Sequence, residues 1–242
     1  MAGTCRIRAA VVRQVPPGYR TWMSDQERSR LERIRRPVDR DRFLLGTGLV
    51  RSMVSELTGL APQAVPLDRT CAECGSAHGR PMLKGLPWFA SISHSGDVVL
   101  AAVTDLAPVG VDIERIDPKR LGAIESVMPT ADRSRLAGLE GRQRCRAGFQ
   151  NWVRRESVLK AAGDGLAGPV RELEVGDPAS TTALIRYPRR DATPMRVHDL
   201  AVGPEYAAAV CIADAAVYSV DMPTSIRGDV KTPSTGTTPG GE

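Results

Sequence analysis

Residues Phe149 to Leu166 read FQNWVRRESVLKAAGDGL, and Phe43 to Leu60 read FLLGTGLVRSMVSELTGL. Both stretches have helical periodicity, begin with Phe and end in Gly-Leu at the same spacing. Two short β-rich runs follow each of them. After the first come VVLAAVTD (98–105) and VGVDIE (109–114); after the second come YAAAVCIAD (206–214) and VYSVD (217–221). A brief turn between two such runs predicts a hairpin. A helix plus antiparallel strands, occurring twice, predicts an α+β fold. It would be a pseudo-twofold pair of similar halves, each a helix packed on a small antiparallel sheet. The boundary is expected near Ile113–Pro118, with an N-terminal subdomain of residues 1–113 and a C-terminal one of 114–222. A ligand site is expected between them. The last stretch, 223–242 (PTSIRGDVKTPSTGTTPGGE), has almost no large apolar residues to offset its ordering entropy and is expected to be disordered.

Within VGVDIE, strand alternation sends Val109, Val111 and Ile113 to one face and Asp112 and Glu114 to the other, about 7 Å apart. Two neighbouring acids repel unless a cation lies between them, and Mg²⁺ takes one or two carboxylates together with phosphate oxygens. The competing reading is a solvated strand edge. On the 149–166 helix, Phe149, Trp152, Val153, Leu159 and Gly163 share one side, with Glu156 in the middle of that arc and Lys160 one turn later. A carboxylate on a core-facing stripe has to be paired or bind a metal. The alternative is an i,i+4 ion pair with Lys160.

Charge and composition limit the function. The 242 residues carry a net charge of +5 with a pI of about 9.2, and lysine occurs only at 84, 119, 160 and 231. An arginine-rich cation suits phosphate groups, nucleic acid or an acidic protein. No apolar run is long enough to span a membrane. The first residues lack a signal core, so the cytoplasm is the expected compartment. Cys5, Cys71, Cys74, Cys145 and Cys211 read as reduced thiols in that compartment.

GVDIE followed by WVRRESVLKAAGDGL resembles the two signature blocks of Sfp-type 4′-phosphopantetheinyl transferases, roughly G-(V/I)-D-(I/V)-E and W-x-x-K-E-(A/S)-x-x-K. RFLLGTGLVRS, GRPML and SISHS resemble three further blocks of that family in the same order, so the likeness spans Arg42 to Leu166. The resemblance implies a two-subdomain fold with coenzyme A bound between the halves. It implies that Asp112, Glu114 and Glu156 ligate Mg²⁺ (or Mn²⁺) on the pyrophosphate and that Lys160 contacts phosphate oxygens. His94 would bind the 3′-phosphate, and Arg80, Pro81 and Ser93 would line the adenine end. Arg42 and Arg51 would add positive charge, with Arg35 and Arg36 assisting. Arg155 stands where the family has lysine, and the resemblance implies that it too binds the cofactor. Asp132 falls near a frequent glutamate, and Asp164 occupies a position that is often basic.

The implied reaction is attack by a carrier-protein serine on the β-phosphorus of coenzyme A, with release of 3′,5′-ADP. Its catalytic residues would be Glu156, Lys160 and Asp112. The serine proton goes either to Glu156 or to a metal-bound water. Acyl or peptidyl carrier domains are the implied partners of a monomer, and residues 115–141 would form the flap that docks them. A basic binding module is the competing class. The Arg28–Arg42 run, with seven arginines, has no interleaved aromatics for stacking bases and matches no nucleic-acid reader motif. Nor is a Gly-x-Ser-x-Gly elbow present around the serines at 91, 93 and 95. Cys71 and Cys74, with His78 four residues on, start like a zinc site but lack a second Cys/His pair.

Overall fold

The computed structural model describes residues 3–71, 74–76, 79–177, 179–188, 194–213 and 218–222; the expected disordered tail and His78 lie outside them. The strands are β1 (Gly3–Val11), β2 (Leu67–Asp68), β3 (Met82–Leu83), β4 (Phe89–Ser95), β5 (Val98–Thr104), β6 (Val109–Arg115), β7 (Thr182–Ile185), β8 (Met195–Asp199), β9 (Tyr206–Ile212) and β10 (Tyr218–Asp221). The helices are α1 (Asp25–Arg33), α2 (Pro37–Thr58), α3 (Leu121–Ser126), α4 (Thr130–Ala137) and α5 (Gly141–Ala162).

The two repeat segments become α2 and α5, each 22 residues long. Both helices stop at a glycine, Gly59 of the first Gly-Leu ending but Gly163 in the second segment, two residues before its Gly165-Leu166. Gly59 (φ 75°) and Gly163 (φ 87°) are left-handed, and their N–H groups bond the carbonyls of Ser55 and Leu159. Each helix covers one sheet. Leu45, Leu49, Val50 and Met53 of α2 pack on Val99, Ala101 and Val103 of β5. Phe149, Val153 and Leu159 of α5 pack on Ala207, Ala209 and Cys211 of β9. The opposite faces of the two sheets meet in a third core. There Ile7, Leu100 and Ala102 of one sheet touch Val111, Ile113, Val210 and Ile212 of the other. The predicted α+β pair of halves is the architecture observed. No helix among the described residues is long and apolar enough to cross a membrane.

The strand pairing corrects the two predicted hairpins. The first sheet runs β10-β1-β5-β4-β3-β2 and the second runs β6-β9-β8-β7, so neither pair of neighbouring runs forms a ladder. The reason is that β5 and β9 are central strands. β5 already bonds β1 and β4 on its two edges, and β9 bonds β6 and β8, which leaves no donor row for the following strand. Instead β6 starts the second sheet, and β10 returns to the first, where it pairs parallel with β1. β5 and β6 therefore belong to different sheets, and the first sheet takes its last strand from the far end of the chain.

α5 can lie directly on β6 only because of Gly110. A Cβ there would sit 2.0 Å from the Ser157 carbonyl oxygen and 2.6 Å from the Ala161 nitrogen. Backbone atoms cannot rotate away, so any side chain would lift α5 off the strand. Gly110→Ala should cost roughly 3 kcal/mol or more. Chemical denaturation checks this; a loss below 1 kcal/mol would mean that the helix tolerates a wider gap.

Candidate active site

β6 is an edge strand, and every second N–H points away from β9. These orphan donors find side chains on β4. The N–H groups of Val111, Ile113 and Arg115 donate to the hydroxyls of Ser91 (3.0 Å), Ser93 (3.4 Å) and Ser95 (3.0 Å). Two of the same serines hand their protons to the acids between those positions. Ser93 donates to Asp112 Oδ1 (2.7 Å) and Ser95 to Glu114 Oε2 (2.8 Å). The serines of SISHS thus seal the sheet seam and orient the acids of GVDIE.

α5 brings the other two predicted groups to this point. Lys160 Nζ donates to Asp112 Oδ1 (2.7 Å), Ser93 Oγ (3.0 Å) and the Val111 carbonyl (3.1 Å). The predicted i,i+4 alternative therefore gives way to a pair between α5 and β6. Glu156 lies half-buried one turn earlier. Burial, then the negative charge of Asp112, push its pKa up to about 7, with Lys160 acting in the opposite sense. Burial also raises the pKa of Asp112, against the pull of Lys160. Glu114 is held by Arg120, which donates to both of its oxygens at 2.9 and 3.3 Å.

Three buried carboxylate oxygens lack a hydrogen-bond partner among the described residues: Asp112 Oδ2 and Glu156 Oε1 at this point, and Glu27 Oε1 beside Arg51. Buried acceptors without donors are costly, and a hard cation is the partner that relieves them. The donor set is all oxygen, as Mg²⁺ prefers. No three of the acids, histidines and cysteines among the described residues converge into a closed ligand cluster, and Asp112 and Glu114 are paired with Lys160 and Arg120.

Beside the acids lie two adjoining cavities of about 400 and 250 Å³ that share Arg69, Ile92 and Lys160. Arg30, Arg42 and His94 line the larger, and Arg80, Pro81 and Gly163 the smaller. Arg42 is anchored by Asp39 (2.7 Å) and the Gly96 carbonyl (3.1 Å). Enclosure by the cleft, followed by the charges of Arg42 and Lys160, lowers the His94 pKa, so the imidazole is neutral at physiological pH. Arg35 and Arg36 are exposed outside these cavities. A larger cavity, about 730 Å³, lies elsewhere, along Gln143, Gln150 and Leu200. Of its two acids, Asp199 is taken by Arg154 and Gln150, both at 2.7 Å, and Asp177 accepts from the Ala179 N–H at 2.8 Å.

Two predicted ligand-binding arginines fall outside the cleft. Arg51 is buried, donating to the carbonyls of Pro62 and Val65 (both 2.9 Å) and to Glu27 (2.8 Å). Arg155 is buried against Asp132, which also binds Arg135, so Asp132 is spent as a tether for α4 and is no fourth ligand. Both point inward because their helices turn those faces to the core. Asp164 accepts a bond from the Tyr187 hydroxyl (2.5 Å). Sequence reasoning missed Arg69 and Arg120, whose positions depend on loops, and took Arg30 only as part of a charged run.

A family model for the 4′-phosphopantetheinyl transferase superfamily matches residues 108–211. The 4′-phosphopantetheinyl transferase psf-1 of Bacillus pumilus is 30% identical over 191 residues, 78% of either chain. The 4′-phosphopantetheinyl transferase ffp of Bacillus subtilis is 30% identical over 194 residues, 80% of this chain and 83% of its own. The 4′-phosphopantetheinyl transferase Sfp of Bacillus subtilis strain 168 is 28% identical over 197 residues, 81% and 84% of the two chains.

The half-buried Glu156 gives a pH test. Stability tied to it is full below its ordinary value of 4.5 and is lost as pH rises through about 7, where the folded protein must carry the charge. In chelator-treated buffer, Glu156→Gln should melt on the order of 3–6 °C above the parent at pH 8 and much closer to it at pH 5. Equal melting temperatures at pH 8 would refute the burial penalty.

Proposed function

The chain belongs to the 4′-phosphopantetheinyl transferase superfamily, and from that premise we propose that it converts apo acyl or peptidyl carrier proteins to their holo form. A serine hydroxyl of the carrier attacks the β-phosphorus of coenzyme A. The new P–O bond replaces the one to the nucleotide, and 3′,5′-ADP leaves. The observation that carries this reading is the pairing of unsatisfied acids with a basic cleft. Asp112 Oδ2 and Glu156 Oε1 lack partners, and Asp112 is bonded by Ser93 and Lys160, which line the cavity that Arg30 and Arg42 also line. A pure anion binder has no use for acids at that place unless a cation joins them to the anion.

Asp112, Glu114 and Glu156 would hold Mg²⁺ or Mn²⁺. A divalent cation bound there neutralises charge on the pyrophosphate oxygens. Lys160 holds Asp112 in place and offers positive charge to the phosphate that is transferred. Glu156 accepts the serine proton, and a pKa of about 7 suits a base working near neutrality. His94 and Arg42 bind at the nucleotide end, where neutral imidazole and guanidinium both donate to phosphate oxygens. Arg80, Pro81 and Ser93 border the smaller cavity and its junction with the larger.

The segment 115–141, which carries α3 and α4, would form the docking flap for the carrier. Its helices are tied to α5 by the pairs Asp132–Arg155 and Glu125–Arg144. The protein would act as a cytoplasmic monomer, since one chain contains both halves of the cleft.

Intact mass spectrometry of an apo acyl carrier protein, incubated with this protein, coenzyme A and Mg²⁺, tests the reading. The carrier should gain one phosphopantetheine. EDTA should abolish the gain, and Glu156→Gln should slow it by roughly 100-fold or more. No gain with several acyl and peptidyl carriers would overturn the proposal.

A further inference from the structure

Arg120 is a cation that the functional reading leaves without a task, and it sits directly on one of the three acids. It ends the short turn after β6 (Pro118–Arg120) and leads into α3. Its two terminal nitrogens fork onto Glu114, Nη1 donating to Oε2 (2.9 Å) and Nη2 to Oε1 (3.3 Å). Beneath it lies the Phe149 ring, 5.9 Å from the guanidinium carbon. Among the described residues, every hydrogen bond of this guanidinium goes to Glu114.

The acids of the site are therefore unequal. Asp112 Oδ2 and Glu156 Oε1 are open, whereas both oxygens of Glu114 are taken. The two cations are unequal as well. Lys160 is fastened to Ser93 and the Val111 carbonyl besides Asp112, and it leaves the second Asp112 oxygen free. Arg120 is half-exposed, hangs on Glu114 alone and covers both of its oxygens. A half-exposed ion pair contributes little to stability, so a stronger cation displaces it readily. Ser95 fixes Glu114 Oε2 from β4 at 2.8 Å, which keeps the carboxylate in register when the arginine moves. Oε1 has only the 3.3 Å bond and is the oxygen that a second cation can claim.

We propose that Arg120 is a positioning residue that guards the metal site: it holds Glu114 while the site is empty and surrenders Oε1 when a divalent cation binds. The proposal rests on the reading of Asp112, Glu114 and Glu156 as metal ligands. Two cations crowded onto one carboxylate repel each other, so the arginine competes with the metal. The sign of its effect is the mark of that role. A merely structural pair would orient Glu114 for the metal, and losing it would weaken metal binding; losing a competitor strengthens it.

Mn²⁺ affinity, read from the electron paramagnetic resonance of the free ion with saturating coenzyme A, tests this on the full chain. Arg120→Gln should tighten Mn²⁺ by roughly 2- to 5-fold, the span of an exposed forked pair. Arg120→Lys, which keeps the charge but not the fork, should gain less. Arg115→Gln is the control for charge alone. Arg115 adjoins Glu114 in sequence but pairs with Glu205 (3.7 Å), and its loss should leave Mn²⁺ within about 1.5-fold. Weaker or unchanged Mn²⁺ binding by Arg120→Gln would overturn the proposal and leave the transferase reading standing. An equal gain in Arg115→Gln would trace the effect to net charge and overturn it too. A parent that binds coenzyme A but no Mn²⁺ would instead sink the metal reading, and this proposal with it.

Discussion

The structure depends on how the open edge of β6 is closed. An edge strand with bare N–H groups invites pairing with another chain. Here the row is sealed within the molecule by three serine hydroxyls from β4, a strand of the other sheet. A hydroxyl both accepts and donates, which a backbone carbonyl cannot do. Each of Ser93 and Ser95 therefore satisfies an N–H and passes its own proton to a carboxylate. The seam between the halves and the orientation of the acids are one hydrogen-bond network. Extended backbone fixes the spacing: serines at every second residue of β4 match N–H groups at every second residue of β6.

Around this seam the chain divides its arginines into two kinds. Arg51, Arg154 and Arg155 are buried, and each joins backbone carbonyls to an acid, so that a loop or helix is tied to a long helix. Their charges are consumed inside the protein. Arg30, Arg42 and Arg69 line the cleft, where positive charge accumulates next to a group of acids on β6 and α5. The opposed signs stay apart because α1, α2 and a loop carry these cations while β6 and α5 carry the acids. Lys160 and Arg120 cross between them, by bonding Asp112 and Glu114. The arrangement suits a ligand that is anionic itself and binds a cation in turn.

Much of the fold was legible in the chain. The two long helices, the alternation in VGVDIE and the place of Glu156 on the buried arc all rest on local geometry, and local geometry survives folding; the Gly-Leu match did not, since the second helix stops two residues early at Gly163. The hairpins were misread for an equally physical reason. A β-rich run announces that it will pair but not with which strand, and β5 and β9 turned out to have both edges filled. The roles of Arg51 and Arg155 were misread because a long cationic side chain has the same sequence signature whether it reaches solvent, a ligand or a carbonyl.

By itself, the sequence determined that two helix-and-sheet halves would form and that acids would come to the strand face at Asp112 and Glu114 and to the inner side of α5 at Glu156. These follow from periodicities of two and 3.6 residues, which the backbone imposes whatever surrounds it. Only the tertiary structure decided that the halves would meet with β4 along the edge of β6, bringing residues 93, 112 and 160 within hydrogen-bond reach. It also decided which arginines would face the cleft. Those outcomes depend on competition among donors, acceptors and charges distant in the chain, and such competition is settled only when all of them are packed together.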